Sequence, residues 1–142
     1  HILEGTITFN GTEKFPLSVM VAMNFWGSDA KKINDDENSD DFNQADGNQM
    51  STYIELAYAL KVKETDLNIF AGFTPNQPKE ADPEIGYLGE SGFYGSEMGF
   101  VNIGIDASKE IKITDDFSLP VNIAIITNPM AENIFMVFGF SF

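Results

Sequence analysis

The feature that most constrains this chain is a period of two in hydrophobicity, repeated over seven segments of its 142 residues. Residues 3–10 place Leu3, Gly5, Ile7 and Phe9 on one face and Glu4, Thr6, Thr8 and Asn10 on the other. Residues 15–26 align Phe15, Leu17, Val19, Val21, Met23 and Phe25 against Ser18, Ala22 and Asn24. The same phase runs through 52–63 (Ile54, Leu56, Tyr58, Leu60, Val62), 67–73 (Leu67, Ile69, Ala71, Phe73) and 98–113 (Val101, Ile103, Ile105, Ala107, Ile111, Ile113). It closes with 117–126 (Phe117, Leu119, Val121, Ile123, Ile125) and 133–142 (Ile134, Met136, Phe138, Phe140, Phe142). Successive side chains of a strand point to opposite faces, so this pattern predicts seven strands, each long enough at about ten residues to cross a bilayer when tilted.

The connections alternate short and long. Gly11-Thr12-Glu13-Lys14, Glu64-Thr65-Asp66 and Thr114-Asp115-Asp116 read as tight turns. Between them lie long loops at 27–50 and 74–97, and a shorter one at Asn128-Pro129-Met130-Ala131-Glu132. Outer-membrane barrels join their strands in this way, with short periplasmic turns and longer external loops. The fold expected is therefore all-β: an antiparallel up-and-down transmembrane β-barrel, one domain over 1–142, located in the bacterial outer membrane.

Composition removes several alternatives. No run of eighteen apolar residues exists, so no transmembrane helix is expected. A net charge of −14, with eight lysines and no arginine, would repel nucleic-acid phosphates. Without cysteine there are no disulfides, thiol nucleophiles or thiolate metal sites. The one histidine, His1, cannot complete a Ser-His-Asp set, and no Gly-rich phosphate loop is present. Neither enzymatic activity nor a cofactor is expected. There is no signal peptide or initiator Met, and the chain is read as a processed or truncated product.

With the tight turns periplasmic, Phe9, Phe15, Phe117 and Phe142 fall near one membrane boundary, and Phe25 and Phe73, with Trp26 adjacent, near the other. Two aromatic bands are what a spanning barrel places at the headgroups. The apolar faces carry one charge, Lys109, toward the periplasmic end where its stem can snorkel. A soluble β-sandwich or lipocalin-like binding protein would turn the apolar face inward instead. Its surface strands would carry more charge than Ala57, Ala59, Gly104 and Ala124 provide, and Phe138-Gly139-Phe140-Ser141-Phe142 would be an aggregation-prone edge. In favour of that soluble alternative, Met20, Phe70, Phe100, Ile126, Phe135 and Val137 make the opposite face partly apolar.

The last segment resembles the C-terminal β-signal read by the barrel-insertion machinery: Ile134, Met136, Phe138 and Phe140 in phase, ending on Phe142. Gly139 lies nearer the end than the usual signal glycine, so the match is to the alternation and the terminal aromatic. From about residue 50 the chain is also similar to TorF-like porins and their Bacteroidetes relatives. The stretches carrying the likeness are Gly72-Phe73-Thr74-Pro75, Phe93-Tyr94-Gly95, Phe100-Val101-Asn102-Ile103-Gly104, Ser108-Lys109-Glu110-Ile111-Lys112-Ile113, Ser118-Leu119-Pro120-Val121 and Asn128-Pro129. The resemblance implies a barrel with a pore function and brings no catalytic residues. A periplasmic C-terminus puts residue 3 on the external side, and bacterial barrels normally have even strand numbers with periplasmic ends. The chain is thus expected to be the C-terminal part of a barrel of roughly eight to twelve strands.

The lumen-facing candidates are Glu55, Lys61, Asn68, Asn102, Asp106 and Asn122, with Glu110 and Lys112 in the same phase. Charged rings in a narrow pore set ion selectivity, whereas opposite charges paired across strands would plug it. Asp35, Asp36, Asp40 and Asp41 in the first long loop offer hard oxygens to a divalent cation, without EF-hand spacing. The competing reading of that loop is a solvated, mobile external segment. Pro120 within a strand predicts a bulge, a strand end or a distorted neighbour. The function expected is a small porin for ions or small solutes, or alternatively a non-conducting accessory barrel presenting its loops to a protein partner. Its other partners would be outer-membrane lipid, lipopolysaccharide and the insertion machinery.

Overall fold

A computed structural model describes residues 1–141; Phe142, the last residue of the expected insertion signal, lies outside them. Nine strands and no helix are present among the described residues. They are β1 (Ile2–Phe9), β2 (Leu17–Gly27), β3 (Lys31–Ile33), β4 (Ala45–Asn48), β5 (Thr52–Val62), β6 (Thr65–Thr74), β7 (Gly99–Lys112), β8 (Ser118–Asn128) and β9 (Asn133–Phe140). Seven form one antiparallel sheet in the order β1-β2-β5-β6-β7-β8-β9, and β3 and β4 form a separate hairpin. Apart from that hairpin the order is sequential, as expected of an up-and-down meander. Closure is not seen: β1 and β9 are the edges of an open sheet.

Two of the tight turns and the last loop have evident local causes. At the first, Thr12 and Phe15 exchange backbone bonds of 2.9 and 3.0 Å, and Gly11 adopts a φ of 72°. A Cβ on Gly11 would stand 2.7 Å from the Leu17 carbonyl oxygen, so the turn admits no side chain there. After β7, the Ile113 and Thr114 N–H groups both donate to the Phe117 carbonyl, at 2.9 and 3.0 Å. After β8, the Asn128 side chain accepts from the Ala131 N–H at 3.0 Å, the local bonding for which Asn is favoured in turns.

Registers are continuous from β7 to β9. Ile105, Ile125 and Met136 lie in one row, Ala107, Ile123 and Phe138 in the next, and Lys109, Val121 and Phe140 in a third. The opposite face carries the rows Gly104–Ile126–Phe135, Asp106–Ala124–Val137 and Ser108–Asn122–Gly139. Pro120 makes no bulge: it pairs in register with Glu110. The Pro120 carbonyl accepts from the Ser141 N–H at 3.1 Å, just past the end of β9. The donor that proline lacks would therefore have faced Ser141, where the ladder is ending, and the β7 side is untouched.

By packing, the chain divides into two compact units: His1–Ile7, Val21–Ile54 and Phe73–Gly99, which hold both long loops, and Thr8–Met20, Glu55–Gly72 and Phe100–Phe142, which hold the turns. Among the described residues the buried hydrophobic side chains are Ala22, Tyr87 and Val101, while Asn24, Asp29, Gln49, Ser51, Thr52 and Thr74 are buried polar ones. All six polar residues belong to the loop unit.

Candidate functional site

The apolar face of the turn unit is built by strand alternation and left uncovered. Ile134 and Met136 are each 73% exposed and Phe138 is 68% exposed, with Phe140 also open on the same face. These are the described residues of the expected insertion signal. Ile105, Ile111, Ile123 and Ile125 extend the surface across β7 and β8. The Phe138 and Phe140 rings lie side by side along β9 with centroids 6.2 Å apart and planes tilted by 59°. Lys109 interrupts the face, and its Nζ lies 3.1 Å from Glu64 Oε2, so the charge is met by a turn carboxylate.

The polar face holds the residues expected in a lumen, and the structure brings two of them together. The Asn68 amide on β6 donates to Asp106 Oδ2 on β7 at 3.0 Å. Glu55 and Asn102 are half-buried in β5 and β7. Lys61 instead reaches the start of β6, its Nζ 3.2 Å from Asp66, and Lys112 bonds Asp115 in the turn after β7 at 2.7 Å. Asn122 is exposed and lies over Gly139, where a Cβ would stand 2.5 Å from Asn122 Oδ1. Beside Asp106, Gly104 makes room for an aromatic ring: a Cβ there would sit 2.4 Å from Phe70 Cζ. Lys61, Asp66, Glu110 and Lys112 contribute to the walls of an open charged cavity of about 490 Å³.

The first long loop contains regular structure and directed hydrogen bonds. The β3–β4 hairpin occupies its ends, and two carboxylates organise the unit around it. Asp29 is 5% exposed, and its carboxylate accepts from the Ser51 N–H at 2.9 Å and the Asn24 amide at 3.3 Å. Burial pushes the Asp29 pKa up, but bonds from Ser51, Ala30 and Asn24 outweigh it and leave the pKa below the ordinary range. Glu90 accepts from the Ile33 and Lys79 N–H groups, both at 2.9 Å, and from the Gln49 amide at 2.8 Å. Its pKa is likewise raised by burial and lowered further by these donors, for a net decrease. Glu90 thereby joins the hairpin, the segment before β5 and the second long loop. Asn76 adds a clasp, donating to the Gln49 carbonyl at 3.0 Å and accepting from the Thr52 N–H at 2.7 Å. The Tyr87 hydroxyl donates to the Ile33 carbonyl at 3.1 Å.

The four acids considered for a divalent cation do not converge. Asp35 pairs with Lys79 at 2.6 Å, which holds its carboxyl below the usual range. Asp36 accepts from the Asn38 N–H at 3.0 Å, closing a local turn. Asp41 accepts from the Ser39 hydroxyl and from the Asn34 amide, the latter at 2.7 Å. Asp40 is exposed. Among the described residues no three acidic or histidine side chains are grouped to hold a metal ion. The acidic loop is therefore built of turn-forming bonds, with Asp41 engaged by its own neighbours and Asp35 by Lys79 of the second long loop.

Sequence reasoning missed Asp29, Glu90, Asn24 and Asn76. Asn24 carried one signal, since it stands in the polar phase of β2 beside two apolar neighbours. Asp29 and Glu90 lie among many acids and differ from them only in tertiary placement. No family model, curated protein or solved structure matches the chain.

Proposed function

We propose that the chain forms part of a bacterial outer-membrane β-barrel acting as a small porin for ions or small solutes. The observation that carries the reading is the polarity of the sheet: its long in-register apolar face is exposed, while its buried side chains are mostly polar. In water, each large apolar side chain left open forgoes about 1.5–3 kcal/mol of burial. The twenty or so such residues on the strands' apolar face would be an untenable surface for a soluble domain, and a natural one against lipid. Segregation of tight turns from long loops supports the same reading. Because β1 and β9 run in the same direction, an antiparallel barrel would need an odd number of further strands.

A second reading, a non-conducting accessory barrel, is favoured by the apolar residues on the polar face. Phe70 fills the space above Gly104, and Phe135 and Val137 share that face. Single-channel recording of the full-length protein in planar bilayers separates the two. Stable conductance steps support the porin, and silence from folded protein supports the accessory subunit. Extraction without detergent, or the absence of a heat-dependent shift on a denaturing gel, removes both.

A further inference from the structure

We propose that the pathway formed by this protein prefers small cations to anions; the inference rests on the channel reading above. By sequence the polar face of the turn unit is balanced, with Glu55, Asp106 and Glu110 against Lys61, Lys63 and Lys112, of which Lys63 lies past the end of β5. The structure breaks that balance. Lys61 and Lys112 bond Asp66 and Asp115, carboxylates belonging to the turn ends of the strands, so their charge is compensated there. Asp106 differs in kind. Its carboxylate accepts from the neutral Asn68 amide at 3.0 Å, and among the described residues no lysine lies within ion-pair distance of it. An amide fixes the direction of a carboxylate without cancelling its charge.

The loop unit supplies an independent contribution of the same sign. It carries thirteen carboxylates against three lysines, and one of those lysines, Lys79, is held by Asp35 at 2.6 Å. A surface of one sign concentrates counter-ions by its summed field, and a charge lining a pore acts strongly on the ions passing it. Because no three acids converge among the described residues, the charges act as a distributed field and not as a trap. Conduction requires that balance of attraction and release.

The test uses the full-length protein, shown to be folded by its heat-dependent gel shift and recorded in bilayers of zwitterionic lipid under asymmetric KCl. The expected reversal potential has the sign of a potassium preference, several-fold over chloride. Asp106→Asn should lower that ratio by up to about fourfold, since one unit charge at roughly 10 Å across water shifts cation and anion by about twofold each in opposite senses. Conductance with a reversal potential at zero or of the opposite sign overturns the cation preference and leaves the channel reading standing. Silence from folded protein overturns the channel reading and the preference with it. Should Asp106→Asn fail to fold, acidification of the wild-type channel replaces it: the preference falls as carboxylates protonate, and a pH-independent preference overturns their role.

Discussion

The loop unit buries polar side chains, whereas the turn unit leaves large apolar ones open. In the loop unit the well-buried side chains include Asn24, Asp29, Ser51, Thr52 and Thr74, and Asp29 and Asn76 collect donors from several segments. In the turn unit the large apolar side chains of β7, β8 and β9 have aligned in rows, yet Ile123, Ile125, Met136 and Phe138 stay open. A buried polar group must find partners inside the protein, whereas an exposed apolar row needs a partner outside it. Cohesion in the first unit therefore comes from directed hydrogen bonds. In the second it comes from the strand ladder.

The contrast breaks most sharply at Ile123, in the row between Ala107 and Phe138. If this face meets lipid, Ile123→Lys should cost about 2–4 kcal/mol, read as a lower urea midpoint for protein folded in vesicles. A change within about 0.5 kcal/mol would mean that the face meets water. In the loop unit the corresponding cut is Asp29→Ala, which strips partners from the Ser51 N–H and the Asn24 amide. Such a loss costs about 1–3 kcal/mol, and hydrogen exchange should locate it in 21–54 and not in β7–β9. Unaltered protection of the Ser51 amide would show that Asp29 does not organise the loop.

Gly104→Ala probes the filling of the polar face. Its Cβ would meet Phe70 Cζ at 2.4 Å and the Ile125 carbonyl oxygen at 2.9 Å. Overpacking of this kind costs about 1–3 kcal/mol, and Phe70→Leu in the same chain should recover part of it. Full stability of Gly104→Ala would reveal a face with room to spare.

A gentler probe is pH. Asp29 and Glu90 have folded pKa values below their ordinary 3.8 and 4.5, so their bonds contribute stability above those values. That contribution is lost as pH falls through the lowered values, and protease cleavage within the two long loops should rise there. Asp29→Asn with Glu90→Gln should flatten the profile; an unchanged profile would assign the acid response to other groups. The smallest effect is expected from Glu64→Gln. Its pair with Lys109 is solvent-exposed and should be worth about 0–1 kcal/mol by urea titration in vesicles. A larger loss would place that pair in a less watery setting than the other turn carboxylates.

Most of the sheet was legible because alternation and turn chemistry agree locally. The expected segments at 52–63 and 117–126 correspond to strands at Thr52–Val62 and Ser118–Asn128. The β3–β4 hairpin was not legible. Lys31-Lys32-Ile33 and Ala45-Asp46-Gly47-Asn48 have neither alternation nor β-favouring composition, and the pair is supported by Glu90 and Tyr87 from a distant loop. Of the lumen candidates, Asn68 and Asp106 meet because their strands are neighbours, a relation that phase and order together can foresee. The turnward reach of Lys61 and Lys112 could not be foreseen, since a flexible four-carbon stem lets the ammonium choose among several carboxylates.

The shared direction of β1 and β9 also bears on self-association. Copies of the sheet held in one common orientation would meet edge to edge only as parallel pairs, whether β9 approaches β1 or another β9. Parallel pairing is slightly less stable per residue than the antiparallel pairing used everywhere inside this sheet. Seven strands of this order, taken by themselves, cannot continue their antiparallel alternation from β9 of one copy to β1 of a like-oriented copy.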